Sequence, residues 1–439
     1  MTTMNGVPHV APVPDDEPDQ ASLRATALAL AGRVTEQLIT SPDEATDADQ
    51  VEHLVDALLA ERVRTNLVQG GSPLTLSMES RLRQLVLDHV LGLGPLEELL
   101  TDPEVENIHI MGDDPVIVDL GAGQRERRAA VVDTDADLVA LVQRIAARAP
   151  GGERRFDVAA PILSMELPDG ARLSAVMPGV AARPTVTIRR HPSRYLRLED
   201  LARSGMVDQA AHDLLVAAVR ARLNVVISGA TNAGKTTLLR SLLGLLDGER
   251  IITIEDSLEL GLHRHMPGSD VVAFQGRPAN VEGVGEVTLA ELVRAALRMC
   301  PDRVVVGETR GPETLALLNA MSMGTDGSMS TIHASNSQQV FTKLATYCAQ
   351  APERMTASAT ASLVGLAVHL VVHIDTAPNG DRVVTSVREV VGSEGEQVIS
   401  NEVYTRAVDD PTGAVVCVPS GLVGERLSRA GHTLRGWAQ

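Results

Sequence analysis

Residues Gly229-Ala230-Thr231-Asn232-Ala233-Gly234-Lys235-Thr236 space two glycines, a lysine and a threonine as G-x-x-x-x-G-K-T. That pattern suits a loop whose backbone N–H groups cradle phosphates. The preceding run, Leu223-Asn224-Val225-Val226-Ile227-Ser228, reads as a buried parallel strand, and Thr237-Leu238-Leu239-Arg240-Ser241-Leu242-Leu243 reads as a helix. A strand, a glycine-rich turn and a helix N-terminus together form an anion site from main chain alone, because the first N–H groups of a helix lack internal partners. Lys235 then reaches the β- and γ-phosphates and the Thr236 hydroxyl holds Mg²⁺. The expected ligand is a nucleoside triphosphate with Mg²⁺, and Gly229 to Thr237 are the expected binding residues.

Hydrolysis also needs a carboxylate near the γ-phosphate. Glu308 follows Arg303-Val304-Val305-Val306-Gly307, a β-branched strand, and ligands gather at the C-terminal ends of strands in open α/β sheets. There it orients a water or helps to hold Mg²⁺; the plain alternative is a surface glutamate after a core strand. Glu255-Asp256, with Glu259 close behind, follows the strand Ile251–Ile254. These carboxylates suit Mg²⁺ or water positioning, and Asp256 or Ser257 equally suits a helix N-cap. His333 falls after a Gly-rich turn and short strand (Gly324 to Ile332), and a lone histidine is more often structural than catalytic. Arg294 and Arg298 are four apart on an expected helix, and Arg310 lies close to Glu308. Arg172, Arg189 and Arg190 lie upstream. An arginine delivered to a γ-phosphate contributes about 10³–10⁵ in rate, while the competing role is pairing with the many carboxylates. His263 and His265 form an H-x-H without the Cys or carboxylate spacing of a zinc site.

The elements that must position these groups follow from hydrophobic period. Residues 1–20 are polar and Pro-rich and are expected to be a disordered tail. Helical stripes cover 21–40, 49–68 and Glu79 to Val90, with a break at Ser41-Pro42-Asp43, giving a helical extension over 21–90. Over 91–195 an α+β domain is expected, with strands near Val105–Ile110, Val116–Val118, Arg172–Val176 and Thr185–Arg189 and a helix over Ala136–Ala147. Residues 196–220 form a mostly helical lead-in. From 221 to 405 strands alternate with helices, including Leu289 to Met299 and Glu313 to Met321, in a doubly wound α/β pattern. Residues 406–439 are expected to be a tail.

The chain has 439 residues, 44% hydrophobic but only 2% aromatic, so its cores are built from Leu, Val, Ile and Ala. A formal net charge of −18 argues against general nucleic-acid binding, which needs a basic face. Cys300, Cys348 and Cys417 are widely separated, which points away from a disulfide framework. The acidic, Pro-rich start does not read as a signal peptide, and no apolar run reaches membrane-spanning length, so a cytoplasmic protein is expected.

Together these stretches resemble the secretion ATPases of type II and type IV systems, which include the type IV pilus motors. The resemblance rests on four boxes in order: Gly229–Thr236 (Walker A), Thr253–Leu260 (Asp box), Arg298–Gly311 (Walker B) and Gly324–His333 (His box). Within that family, Leu91–Leu100, Leu167-Pro168-Asp169-Gly170-Ala171-Arg172 and Thr187-Ile188-Arg189-Arg190 look most like the CpaF-type ATPase of Tad (tight adherence) pili. The resemblance covers about 80–400. It implies a RecA-like domain behind a PAS-like α+β domain, a homohexameric ring, and a cytoplasmic position at the inner face of the membrane. It further implies an inner-membrane platform protein as partner, with membrane contact through that partner and no direct nucleic acid. By resemblance Glu308 is the catalytic Walker B glutamate, Glu255 assists with water or Mg²⁺, and His333 contacts the γ-phosphate. Arg172 and Arg189 close the upstream domain over the nucleotide. Three departures stand out: Cys300 replaces an expected basic residue, residues 111–114 match an expected Asn-Gly turn only loosely, and the tetracysteine zinc module of the type II branch is missing. The remaining alternatives are a motor for DNA transfer and a non-hydrolysing nucleotide-binding scaffold.

Overall fold

Helices α1 (Pro18–Thr40), α2 (Ala48–Val68) and α3 (Leu76–Val90) form where the sequence places apolar residues on one stripe. Leu30, Val34, Val51, Val55, Leu82 and Val86 interlock between them. Pro18 opens α1 at a position where a missing N–H costs nothing, so the helix starts earlier than the expected 21. Thr75 caps α3 by accepting from Met78 N at 3.3 Å. Arg83 ties α3 to Asp56 and Glu52 of α2 at 2.6 and 2.8 Å.

The computed structural model describes residues 18–40, 48–68, 75–120, 124–147, 155–190, 195–410 and 412–431, apart from 267, 278 and 280–282. The expected disordered tail, for residues 1–17, and the Ser41-Pro42-Asp43 break lie outside that range. Two units divide the chain, Met1–Ser193 and Arg194–Gln439. No helix among the described residues is long and apolar enough to cross a membrane.

The first unit continues with α4 (Glu97–Thr101), β1 (Asn107–Met111), β2 (Val116–Asp119), β3 (Arg125–Arg128), α5 (Asp135–Ala147), β4 (Ile162–Glu166), β5 (Arg172–Val176) and β6 (Thr185–Arg189). The strands form one antiparallel sheet in the order β3-β2-β1-β6-β5-β4, as a PAS-like α+β domain requires. Alternation sends Ile108, Val118, Leu173 and Ile188 to one face, where they share a core with Leu138, Leu141 and Val142 of α5. Strand β3 escaped the sequence reading because Arg125-Glu126-Arg127-Arg128 has no apolar alternation. It is an edge strand, where charge discourages unwanted pairing.

The second unit opens with α6 (Leu198–Arg203) and α7 (Gln209–Arg220). Then β7 (Val225–Gly229), α8 (Lys235–Leu243), β8 (Ile251–Glu255), α9 (Leu262–His265) and β9 (Val271–Gln275) follow. Next come α10 (Leu289–Ala296), β10 (Arg303–Thr309), α11 (Glu313–Ser322), β11 (Met329–His333), α12 (Gln339–Ala349) and α13 (Ala357–Ala367). The chain closes with β12 (Leu370–Thr376), β13 (Arg382–Glu394), β14 (Gln397–Thr405), β15 (Ala414–Val415) and α14 (Gly421–Arg429). One sheet runs β15-β14-β13-β12-β7-β11-β10-β8-β9. It is parallel from β12 to β9 and antiparallel from β12 outward. The phosphate-loop strand β7 lies between β12 and β11, and β11 separates it from β10, the RecA-like order.

Both faces of the parallel strands are covered, which explains their continuous apolar runs. Val225, Ile227 and Val305 enter one core, while Val226, Val304 and Val306 enter the other. Buried polar groups pin the opposite end of the sheet. Asn224 Nδ2 donates to Met321 O and Ala367 O, and its Oδ1 accepts from Gly327 N and Ser328 N. Arg303, only 1% exposed, makes a two-pronged pair with Glu249 at 2.7 and 2.9 Å.

Helix α10 is shorter than expected, ending at Ala296 rather than Met299. Pro301 disfavours helical geometry at Cys300, which sits at φ 51°. Arg298 therefore lies in the turn after the helix and does not share a helical face with Arg294. Beyond residue 405, α14 buries Val423 and Leu427 in the core that holds β7.

Candidate active site

The loop after β7 turns through Asn232 at φ 62° and Gly234 at φ 90° before α8 begins at Lys235. A side chain at Gly234 would be strained by that φ, and its Cβ would stand 3.2 Å from both Arg382 Cδ and Met206 Cε. Lys235 is 6% exposed. Its Nζ donates to Gly229 O at 3.2 Å, to Ala230 O at 2.7 Å and to His333 Nδ1 at 3.1 Å. Thr236 and Thr237 follow, half-buried, in the first turn of α8.

His333 ends β11, which pairs with β7 so that His333 stands opposite Gly229. An ammonium has only protons to offer, so His333 Nδ1 must be the acceptor from Lys235. The imidazole proton then sits on Nε2, which donates to Glu308 Oε1 at 2.9 Å. The partners thus assign the tautomer, and a continuous chain runs Lys235–His333–Glu308.

Glu308 reaches His333 because β10 is irregular. Val306 pairs with Ser330 and Thr309 with Ile332, so three steps on β10 span two on β11. The extra residue is a bulge at Gly307-Glu308, and bulges re-aim side chains. Glu308 is therefore inside the strand rather than beyond its end. Thr331 Oγ1 donates to Gly307 O at 2.7 Å and Thr309 Oγ1 donates to Thr331 O at 3.1 Å, which locks the bulge. Past the strand, Glu313 accepts from Arg310 N and Gly311 N at 2.6 and 2.8 Å and fixes the turn into α11.

Glu255 ends β8, the neighbour of β10, and is 4% exposed. Its Oε2 accepts from Leu260 N at 2.8 Å, while Oε1 has no partner among the described residues. Burial pushes its pKa up to about 8. A Cβ on Gly307 would lie 2.9 Å from Glu255 Cγ, so the glycine makes room for the carboxylate. Asp256 is ion-paired with Arg310.

Lys235, His333 and Glu308 are thus brought into direct contact, with Glu255 against the same bulge. Arg172 and Arg189 belong to the first unit. There they face each other in register across β5 and β6, and neither guanidinium has a partner among the described residues. The sequence reading missed the bulge, although a glycine inside a strand is the usual signal for one. It also missed Thr309, Thr331 and Glu313, whose importance comes from cross-strand and turn contacts.

These features fit a magnesium nucleoside triphosphate. The loop turns into a helix N-terminus with an ammonium across it, and a buried carboxylate oxygen of Glu255, against the Gly307-Glu308 bulge, lacks a partner among the described residues. A family model for type II/IV secretion system proteins matches residues 92–425. A putative conjugal transfer protein of Mycobacterium tuberculosis is 36% identical over 343 residues, covering 74% of this chain and 92% of that protein. VirB11 of Agrobacterium fabrum is 32% identical over 282 residues, covering 57% of this chain and 78% of its own length. The crystal structure of the VirB11 ATPase from the Brucella suis type IV secretion system, in complex with sulphate, is 28% identical over 67% of this chain and 91% of that one, with a TM-score of 0.35.

Proposed function

Because this chain belongs to the type II/IV secretion system protein family, we propose that it is a Mg²⁺-dependent ATPase working as a homohexameric motor. It drives pilus assembly or protein secretion through an inner-membrane platform, from the cytoplasmic face. The observation that carries the catalytic part is the Lys235–His333–Glu308 chain at the mouth of the phosphate loop.

In this reading the main-chain N–H groups of Gly229 to Thr237 and the Lys235 ammonium bind the phosphates, with Thr236 and Glu255 as the Mg²⁺ side. The bound metal supplies charge neutralisation at the transferred phosphoryl group. Glu308 is held at Oε1 by the His333 N–H, which leaves its second oxygen to orient a water and accept its proton. His333 links the loop lysine to that carboxylate, so both are placed by one side chain. Arg172 and Arg189 add the first unit's contribution. Two like charges opposed in register repel by about 0.2–1 kcal/mol, and a phosphate group relieves that repulsion.

The pilus assignment rests on the Tad-like stretches at Leu91–Leu100, Leu167–Arg172 and Thr187–Arg190. The second reading, a motor for conjugative DNA transfer, is favoured by the name of the Mycobacterium tuberculosis relative, a putative conjugal transfer protein. The acidic balance, −18, speaks against direct DNA contact in either case. Purified protein is expected to release phosphate from ATP only with Mg²⁺, to lose this activity in Lys235→Ala, and to have a native mass of six copies. Absence of turnover in a folded hexamer would instead favour a nucleotide-binding scaffold. A neighbouring relaxase gene would favour conjugation, and neighbouring prepilin genes the pilus.

A further inference from the structure

Strands β12 and β13 are joined by a tight hairpin at the C-terminal edge of the parallel sheet. Thr376 pairs with Arg382, and the turn closes through Ala377 N to Asp381 O at 2.7 Å and Gly380 N to Ala377 O at 2.8 Å. Because β12 runs parallel to β7 with Ile374 opposite Gly229, the hairpin emerges beside the start of the phosphate loop. Arg382 lies over that loop: its Cδ is 3.2 Å from where a Cβ on Gly234 would be. On the same side stands Met206, 5% exposed and fastened to β13 by Val384 N donating to Met206 O at 2.8 Å. Arg382 is half-buried, and its guanidinium has no hydrogen-bond or ion-pair partner among the described residues. That is notable in a chain with 57 acidic and 39 basic residues, where Arg83, Arg183, Arg222, Arg250, Arg303 and Arg388 each pair with a carboxylate.

We infer that Arg382 is a second cation of the phosphate site, binding the phosphates of a nucleoside di- or triphosphate from the side of the loop opposite His333. The inference rests on the proposed nucleotide-binding reading and adds a residue to that site. β7 separates the two sides, since His333 comes from β11 and Arg382 from the return of β12. Lys235 already spans the His333 side, so Arg382 supplies charge on the side that Lys235 does not reach. A guanidinium also offers a planar fork of donors that matches phosphate oxygens. The effect is on binding of ATP and ADP alike, because the residue is not part of the Lys235–His333–Glu308 chain.

The test measures ATP, ADP and inorganic tripolyphosphate binding to the full-length wild type, Arg382→Ala and Arg382→Lys, with melting temperatures to confirm folding. Loss of one charge-assisted contact predicts that Arg382→Ala weakens all three ligands by about 10- to 100-fold, and raises KM with little change in kcat. Arg382→Lys recovers part of the affinity, keeping the charge without the fork. Wild-type affinity in a folded Arg382→Ala protein overturns the inference while leaving the nucleotide reading intact. Weaker nucleotide binding with unchanged tripolyphosphate binding overturns the phosphate assignment. A wild type that binds none of the three overturns both readings.

Discussion

His333 Nε2 lies 2.9 Å from Glu308 Oε1, and with Lys235 occupying Nδ1 at 3.1 Å the ring has a single N–H, committed to that carboxylate. The histidine therefore acts as a spacer with one accepting and one donating end. A residue that lacks either end breaks the link between the phosphate loop and the carboxylate.

His333→Ala is expected to lower kcat by about 10²-fold, the scale of a small misplacement of reacting groups, with a smaller change in nucleotide affinity. His333→Gln retains an acceptor and a donor on one side chain and should recover part of the loss. Steady-state kinetics on both variants check this. Equal loss in both, or a loss confined to KM, would count against the positioning role.

Gly307 gives way to Glu255. A methyl at residue 307 would sit 2.9 Å from Glu255 Cγ, on a carboxylate that is already buried with one oxygen unpartnered among the described residues. Gly307→Ala is expected to destabilise the protein by about 1–3 kcal/mol, as overpacking does, and to reduce turnover by displacing Glu255 and the bulge that carries Glu308. Denaturant unfolding and turnover measured together check both parts.

His369 gives a stability effect away from the active site. It is buried, accepts from Asn224 N at 2.8 Å through Nδ1, and its pKa is pushed down to about 4, mainly by burial. The folded protein holds this imidazole neutral, while the unfolded chain takes up a proton below about 6.5. The unfolded state thus binds more protons between those values. The stability contribution is fully present above about 6.5 and is lost as pH falls through 4, amounting to about 3 kcal/mol across the window. Urea unfolding at pH 7 and pH 4.5 should show a steeper loss in the wild type than in His369→Gln.

Much of this was legible in sequence because the chemistry is local. The loop Gly229–Thr236 carries its own geometry, and the strands that carry Glu255 and Glu308 are marked by β-branched runs that only a two-sided core explains. The α+β and doubly wound α/β patterns followed from the same periodicity, and the RecA-like class from the resemblance to the secretion ATPases. What was not legible depends on return paths. Strand β12 and the β12–β13 hairpin bring Arg382 to Gly234 across about 150 residues of chain, and no linear spacing encodes that. The bulge at Gly307-Glu308 follows from cross-strand register. The charged strand Arg125–Arg128 pairs through backbone alone, so side-chain alternation gave no trace of it. The apolar period continues to Met299, but helix α10 ends at Ala296, ahead of Pro301, because a local backbone restriction overrides the period.

In the proposed mechanism Glu308 activates water without being needed to hold nucleotide. The most direct measurement is ATP affinity and phosphate release in the same preparation of Glu308→Gln. The predicted result is Mg²⁺–ATP binding within a few-fold of wild type, with phosphate release lowered by about 10²–10⁴-fold. Phosphate release at the wild-type rate would contradict it.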